Sequence, residues 1–245
     1  MYKSISKCRA CGGTDIQCVL SLGETPLADR LLTKEQLNEQ ELIVPLNVAF
    51  CPDCSLVQII ETVDPEVLFC NDYPYFSSVS ETLLRHSREN AEDLIQRRRL
   101  DGESFVVEIA SNDGYMLRNF VANDIPCLGI DPADGPAAAA EKVGVPTMCT
   151  FFSQDLAEQL RADGRSADVI IANNVLAHVA DLNGLVDGIS ILLKQTGVAV
   201  IEVPYLVDLI EKCEFDTMYH QHLCYFSVTA LDRLFRQHGL FLNAR

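Results

Sequence analysis

The chain is poor in positive charge. Nineteen Lys and Arg stand against thirty-five Asp and Glu, a formal net charge of −16. Such a surface repels nucleic acid and anionic membrane at long range, so neither is expected as a partner. The acidity serves solubility first, and it leaves open a basic cleft for an anionic substrate. An export signal is missing too: residues 1–7 are largely polar and run straight into Cys8 with no apolar segment. No stretch approaches the ~18 apolar residues of a membrane span. A cytoplasmic protein is the expectation. Internal repeats and low-complexity tracts are also lacking.

What is present is a globular composition over 245 residues, 48% of them apolar. That length holds one large domain, or a small domain and a medium one. Ten cysteines would suggest disulfides in a short secreted chain. In a long chain without an export signal, metal binding is the better reading for those that come in pairs. Cys8, Cys11, Cys51 and Cys54 form two Cys-x2-Cys knuckles. A two-residue spacer points both thiolates of a knuckle at one ion, and four such ligands close the tetrahedral shell of a structural Zn²⁺. Most of the six scattered cysteines read as small buried hydrophobes.

Short turn-rich segments occupy residues 1–65. Residues 22–32 read as a loop, Thr33 to Gln36 as a capped helical turn, and Pro45–Phe50 and Ser55–Glu61 as strands. An aromatic segment from Asn71 to Ser78 contains Tyr73 and Tyr75, held extended by Pro74. A helix is expected from Ser80 to Arg99, closed by Asp101-Gly102. Strands and helices then alternate: strands at 104–110, 127–131, 147–151, 168–173 and 197–203, helices at 114–123, 137–143, 154–162, 182–193 and 229–238. The start of a sixth strand is expected at 240–243. Apolar strands alternating with helices predict an α/β domain with a parallel sheet covered on both faces.

In such sheets ligands bind beyond the carboxyl ends of the strands. The first strand runs into Ala110-Ser111-Asn112-Asp113-Gly114, and the next ends at Asp131-Pro132. Asp131 is placed to accept from both hydroxyls of an adenosine ribose. A dinucleotide needs a G-x-G-x-x-G turn so that its pyrophosphate meets bare backbone. Here Ala110 and Asn112 stand in the way, and only Gly114 remains. S-adenosylmethionine (SAM) has no phosphate, and Ser111, Asn112 and Asp113 offer polar groups to its methionine end. SAM therefore leads a nicotinamide cofactor, which would make the chain a dehydrogenase. Phe152, Asn173 and Asn174 complete the expected cofactor set.

Three of the five histidines fall in two segments, Asn173 to His178 and Tyr219-His220-Gln221-His222. Such a concentration of acid-base groups beside a cofactor crevice points to catalysis. His220 and His222 lack a second carboxylate or His set, so metal ligation is the weaker reading.

These motifs, with Leu22 to Ala28 and Tyr75-Phe76-Ser77-Ser78, come in an order that resembles the nucleotide-sugar C-methyltransferases, which methylate C3 of 4-keto deoxysugars. The resemblance implies a zinc-binding N-terminal module, a class I (Rossmann-like) SAM-methyltransferase domain and a C-terminal α/β domain. It divides this chain into a zinc domain at 1–65, an aromatic linker and helix at 66–100, and an incomplete SAM domain at 101–245, truncated at its C-terminal end. It implies an active site of Tyr73, His178, Tyr219, Gln221 and His222. Gln221 stands where the best-known relatives carry Glu. The implied chemistry is removal of the acidic C3 proton by a neutral His, stabilisation of the enolate by Tyr and His donors, and methylation of the carbanion. The implied partner is a nucleotide sugar or another small molecule, handled by a monomer. A non-catalytic zinc- and SAM-binding fragment, or methylation of another acceptor, are the competing readings.

Overall fold

The computed structural model describes residues 2–70 and 73–243. Asn71 and Asp72 of the aromatic segment, and Ala244 and Arg245 beyond the expected sixth strand, lie outside the described residues. Packing groups the chain into two compact units that are discontinuous in sequence. The first comprises Met1–Asp64, Leu176–Asn183 and Val203–Arg245; the second comprises Pro65–Val175 and Gly184–Glu202. The first break falls at Asp64/Pro65, none falls at 100, and Leu176–Asn183 and Val203–Arg245 group with the N-terminal segment.

The N-terminal part carries β1 (Tyr2–Ser4), β2 (Gln17–Pro26), β3 (Ile43–Phe50), β4 (Val57–Ile59) and β5 (Glu61–Val63). Along β3, Val44, Leu46 and Val48 are buried while Ile43, Pro45 and Asn47 are not, the period-two pattern of a strand with one wet face. β2 replaces part of the loop expected at 22–32. Its side chains are exposed on both faces, and its register against β3 shifts twice, between Cys18 and Leu20 and again between Ser21 and Glu24, where Gly23 has φ of 78°. A strand without a buried face and with bulges has no period for the sequence to display. The turn expected at Thr33 is a single 3-10 turn at Gln36–Asn38, with the Thr33 amide donating to Gln36 Oε1 at 2.9 Å.

Next come α1 (Pro65–Phe69), α2 (Glu81–Arg98), β6 (Val106–Ile109), α3 (Arg118–Val121), β7 (Cys127–Asp131), α4 (Asp134–Lys142), β8 (Thr147–Cys149), α5 (Gln154–Ala162), β9 (Ala167–Asn173), α6 (Leu182–Leu192) and β10 (Leu193–Glu202). The five strands form one sheet in the order β10-β9-β6-β7-β8 with every pairing parallel, as expected. The order reverses direction at β6, so its carboxyl end marks the crevice where such sheets take ligands. Val106, Val169 and Ile171 of the sheet pack with Met116, Leu117 and Phe120 in one apolar core.

α2 runs between its expected ends, Ser80 and Arg99, but one helix terminator and one helix length differ from expectation. The Ser80 side chain caps α2 by accepting from the Leu83 amide, but the helix stops at Arg99, itself left-handed at φ 54°, before Asp101-Gly102 is reached. The helix expected over 114–123 shrinks to α3, because Tyr115, Met116 and Leu117 are all buried in succession. A regular helix cannot face three consecutive side chains to one core.

The chain finishes with α7 (Leu206–Glu211), β11 (Cys224–Tyr225) and α8 (Val228–Gln237). β11 joins β2, β3 and β4 in an antiparallel sheet of order β11-β4-β3-β2. No sixth parallel strand forms among the described residues. The Leu240 amide instead donates back to Phe235 O at 3.0 Å, and Phe241 and Leu242 stay exposed.

Candidate active site and metal centre

The two cysteine knuckles repeat one local design. In the first, the Cys8 amide donates to Gly13 O and the Gly12 amide to Cys8 O; in the second, Ser55 donates to Cys51 O and Cys51 to Leu56 O. Gly12 supplies the positive φ, 72°, that the first turn requires. The four Sγ atoms lie within 4.8 Å of one another, with Cys8–Cys54 at 3.4 Å and Cys11–Cys51 at 3.6 Å. Sulfurs about 2.3 Å from a tetrahedral zinc would be about 3.8 Å apart, so the donor set fits that ion with no position left open.

In the same unit, β4 leads from the second knuckle and pairs with β11, which follows directly on the Tyr219–Leu223 loop. The His220 Nε2 contacts Pro45 O at 3.0 Å, and the Ile59 amide donates to Leu223 O. His220 is thus buried as a fastener between the loop and β3. The next side chains form a cluster. The Tyr219 hydroxyl is 2.9 Å from His222 Nε2, and His222 Nδ1 is 2.8 Å from Thr217 O. A carbonyl only accepts, so Nδ1 carries the hydrogen and Nε2 of the neutral ring accepts from the tyrosine. The His178 ring stands edge-on to His222 with centroids 4.8 Å apart.

Burial pushes His222 below the ordinary imidazole range; the Thr217 carbonyl and the charge of Asp29 oppose it. His178 is pushed down to about 4, by burial first and by His222 second, against a backbone bond at Gln221. Both rings are neutral at pH 7. Gln221 is buried in the same loop. Asp29 was not singled out in the sequence; its place just after the Leu22–Ala28 motif was the one available signal.

The His178 shift has a consequence for stability. The unfolded ring takes its proton near pH 6.5 and the folded one near 4, so the unfolded state binds more protons between those values. Stability contributed by this neutral ring is complete above pH 6.5 and is lost as pH falls toward 4, up to about 3 kcal/mol. Urea unfolding at pH 7 and pH 4.5 should show a smaller acid loss in His178→Gln than in the parent chain.

The second unit holds the other expected residues at the carboxyl edge of its sheet. Ala110 and Asn112 adopt positive φ values of 53° and 49°, a costly backbone for such residues and one that concentrates at functional turns. Gly114 has φ 75°, and a Cβ there would meet Val145 Cγ2 at 2.9 Å. The turn is pinned from both sides. The Asn112 amide donates to Asp131 Oδ2 at 2.8 Å, and Ala133 donates to Oδ1 at 2.9 Å. Asn112 Oδ1 and Asp113 Oδ2 accept from the amides of Ser77 and Ser78, and Asn112 Nδ2 donates to Tyr75 O. Burial raises Asp131 above the usual carboxylate range, opposed by those amides. Glu108 on β6 is raised further, by burial and then by Asp131. Asp113 Oδ1, Ser111 Oγ and Glu108 Oε2 are buried without hydrogen-bond partners. Asn173 ends β9, and Asn174 follows with φ 55° and donates to Glu202 O. The Phe152 ring lies against Gly188, Pro132 O accepts from Cys149, and Tyr73 packs edge-on to Phe69. Tyr73 belongs to this unit, whereas His178, Tyr219, Gln221 and His222 belong to the first. Glu108 was not among the expected site residues, because a charged residue inside an apolar strand gives no ligand pattern.

Residues 8–69 match the family described as "Putative zinc binding domain", and residues 83–243 match a methyltransferase domain. The chain belongs to the methyltransferase-domain family. It is 35% identical over 240 residues to the C-methyltransferase NovU of Streptomyces niveus, covering 98% of this chain and 57% of that protein. The chain therefore spans little more than half the length of this curated relative. Among solved structures, a chain of the complex between the Haloferax volcanii Trm112 methyltransferase activator and a methyltransferase aligns with TM-score 0.52 and 17% identity, over 67% of this chain and 75% of that one. The YcgJ protein of Bacillus subtilis aligns at 0.50 and 18%, over 63% and 68%. These structures share the fold.

Proposed function

We propose that this chain carries the catalytic apparatus of a SAM-dependent C-methyltransferase acting on C3 of a nucleotide-linked 4-keto deoxysugar. The observation that carries the reading is the hydrogen-bonded run from Thr217 O through His222 to the Tyr219 hydroxyl, which prepares a neutral imidazole with its Nε2 lone pair directed outward from the fixed Nδ1–H. The relationship to a C-methyltransferase supports transfer to carbon, the step that needs such a base.

SAM, when bound, supplies an electrophilic methyl group. Among the described residues no Lys or Arg pairs with Glu108, Asp113 or Asp131. That acidic edge disfavours a pyrophosphate and suits the ammonium of SAM, with Asp113 Oδ1 and Ser111 Oγ as open acceptors. Asp131 would accept from the ribose, Asn173 and Asn174 would line the methionine end, and Pro132 and Phe152 the adenine. Each Asp131 oxygen keeps a second lone pair beyond its backbone bond. Asp131→Ala should weaken SAM by about 1.5–3 kcal/mol in calorimetry, the cost of a lost bond to a charged acceptor; an unchanged affinity would place the ribose elsewhere.

In this reading His222 Nε2 takes the C3 proton, acidified by the C4 ketone. The Tyr219 hydroxyl, displaced from Nε2 by the arriving proton, donates to the enolate oxygen, and neutral His178 assists there by releasing its N–H from the Gln221 backbone. Gln221 orients the loop through its backbone, and Tyr73 adds a phenol donor at the substrate. Four cysteines hold zinc away from this chemistry, in a closed structural site. The test uses the full-length protein with a 4-keto nucleotide sugar in deuterated water and a non-transferring SAM analogue. Deuterium should enter at C3. Absence of exchange with the analogue bound would overturn the reading.

A further inference from the structure

Glu202 closes β10, in register with Asn173 at the end of β9, and so sits at the carboxyl edge of the sheet. Its Oε1 is fixed by two residues one turn apart on α2: His86 Nε2 at 2.7 Å and Asn90 Nδ2 at 3.4 Å. Its other oxygen has no hydrogen-bond partner among the described residues, and the side chain is about one-third exposed. The Tyr115 phenol is raised by burial first and then by the charges of Glu108 and Glu202, with an Asn173 hydrogen bond opposing. Glu108 on β6 pairs with Ile171, two residues before Asn173 on β9, so both carboxyls stand toward the carboxyl end of the sheet. No Lys or Arg pairs with any carboxyl of this edge among the described residues. Buried Asp113 Oδ1 has no hydrogen-bond partner there among the described residues.

A crevice of this charge calls for a cation. The methionine end of SAM holds two, an ammonium and a sulfonium. Its demethylated product, S-adenosylhomocysteine (SAH), keeps the ammonium and loses the sulfonium charge. We propose that Glu202, aimed by His86 and Asn90, is the counter-charge to the sulfonium and makes the site prefer SAM over SAH, so that product leaves after transfer. The proposal rests on the SAM reading above. It divides the labour of the edge: Asp113 and Ser111 meet the ammonium common to both molecules, and Glu202 meets the charge that only SAM carries.

Calorimetry of the zinc-loaded chain with SAM and with SAH tests it. Glu202→Gln should weaken SAM about tenfold while SAH holds within about twofold, collapsing the ratio of the two affinities. Glu202→Asp, which keeps the charge, should retain most of the preference, and thermal unfolding of both variants checks that the sheet edge is intact. An equal loss for SAM and SAH, or no loss for either, overturns the proposal while leaving the cofactor reading in place. Failure of the parent chain to bind SAM overturns the cofactor reading itself.

Discussion

His222→Ala should abolish deuterium exchange at C3 while leaving SAM affinity unchanged. Its hydrogen bonds set the tautomer of the ring: Nδ1 is committed to Thr217 O, and Nε2 accepts from Tyr219. Removing it leaves no neutral base at that position, and loss of a positioned general base costs on the order of 10²–10⁴ in rate. Tyr219→Phe is the informative companion. It keeps the base and removes one donor, so exchange should fall by roughly 10²–10³, the scale of a lost oxyanion donor. Both residues lie in the first compact unit, whereas the turn from Ala110 to Gly114 and Asp131 lie in the second, which is why SAM binding should survive. Exchange at the parent rate in the His222 variant, measured by NMR of the sugar, would remove His222 from the role and pass it to Tyr219 or His178.

The parts of this fold that were legible in the sequence are those whose side chains obey a period. β7 and α5 occupy the residues expected of them, because each has an unbroken apolar pattern between turn residues. The knuckles were legible because thiolate spacing is a short-range constraint. β2 was illegible because nothing along it is buried, and the expected sixth strand did not form because the chain at Leu240 turns back onto α8, its amide donating to Phe235 O. The grouping into units was hidden for a different reason. β11 is only two residues long, and its partner β4 lies more than 160 positions earlier. Local pattern carries no information about such a pairing. For the same cause the sequence brought forward His222 and Tyr219, which are neighbours, but not Asp29, whose charge reaches His222 from a distant loop. Nor did it offer Glu202 with His86, which meet across 116 positions.

That long-range pairing leads to the second large effect. Stripping the zinc should silence C3 exchange and leave SAM binding near its original strength. Four clustered thiols without their ion lose the cross-link between residues 8–11 and 51–54, and such modules commonly unfold when the metal leaves. The second knuckle runs directly into β4, and β4 holds β11 through Gln58 opposite Cys224 and Val57 opposite Tyr225. The Ile59 amide holds Leu223 O, and Pro45 O on β3 holds His220. The segment carrying Tyr219 and His222 is therefore an outer strand and loop of the metal module's own sheet. Without that sheet the Thr217–His222–Tyr219 run has no frame, and the preset tautomer is lost. The core of the second unit, from Val106 and Val169 to Met116 and Phe120, draws on none of these residues. A chelator titration of the full-length protein, followed in parallel by C3 exchange and by SAM calorimetry, should separate the two: exchange falls with the bound zinc, and SAM affinity changes by less than about threefold. Cys54→Ser should reproduce the pattern without chelator. Exchange that persists after complete removal of zinc would show that the loop is held by other means, and a parallel loss of SAM affinity would show that the metal module supports the cofactor sheet as well.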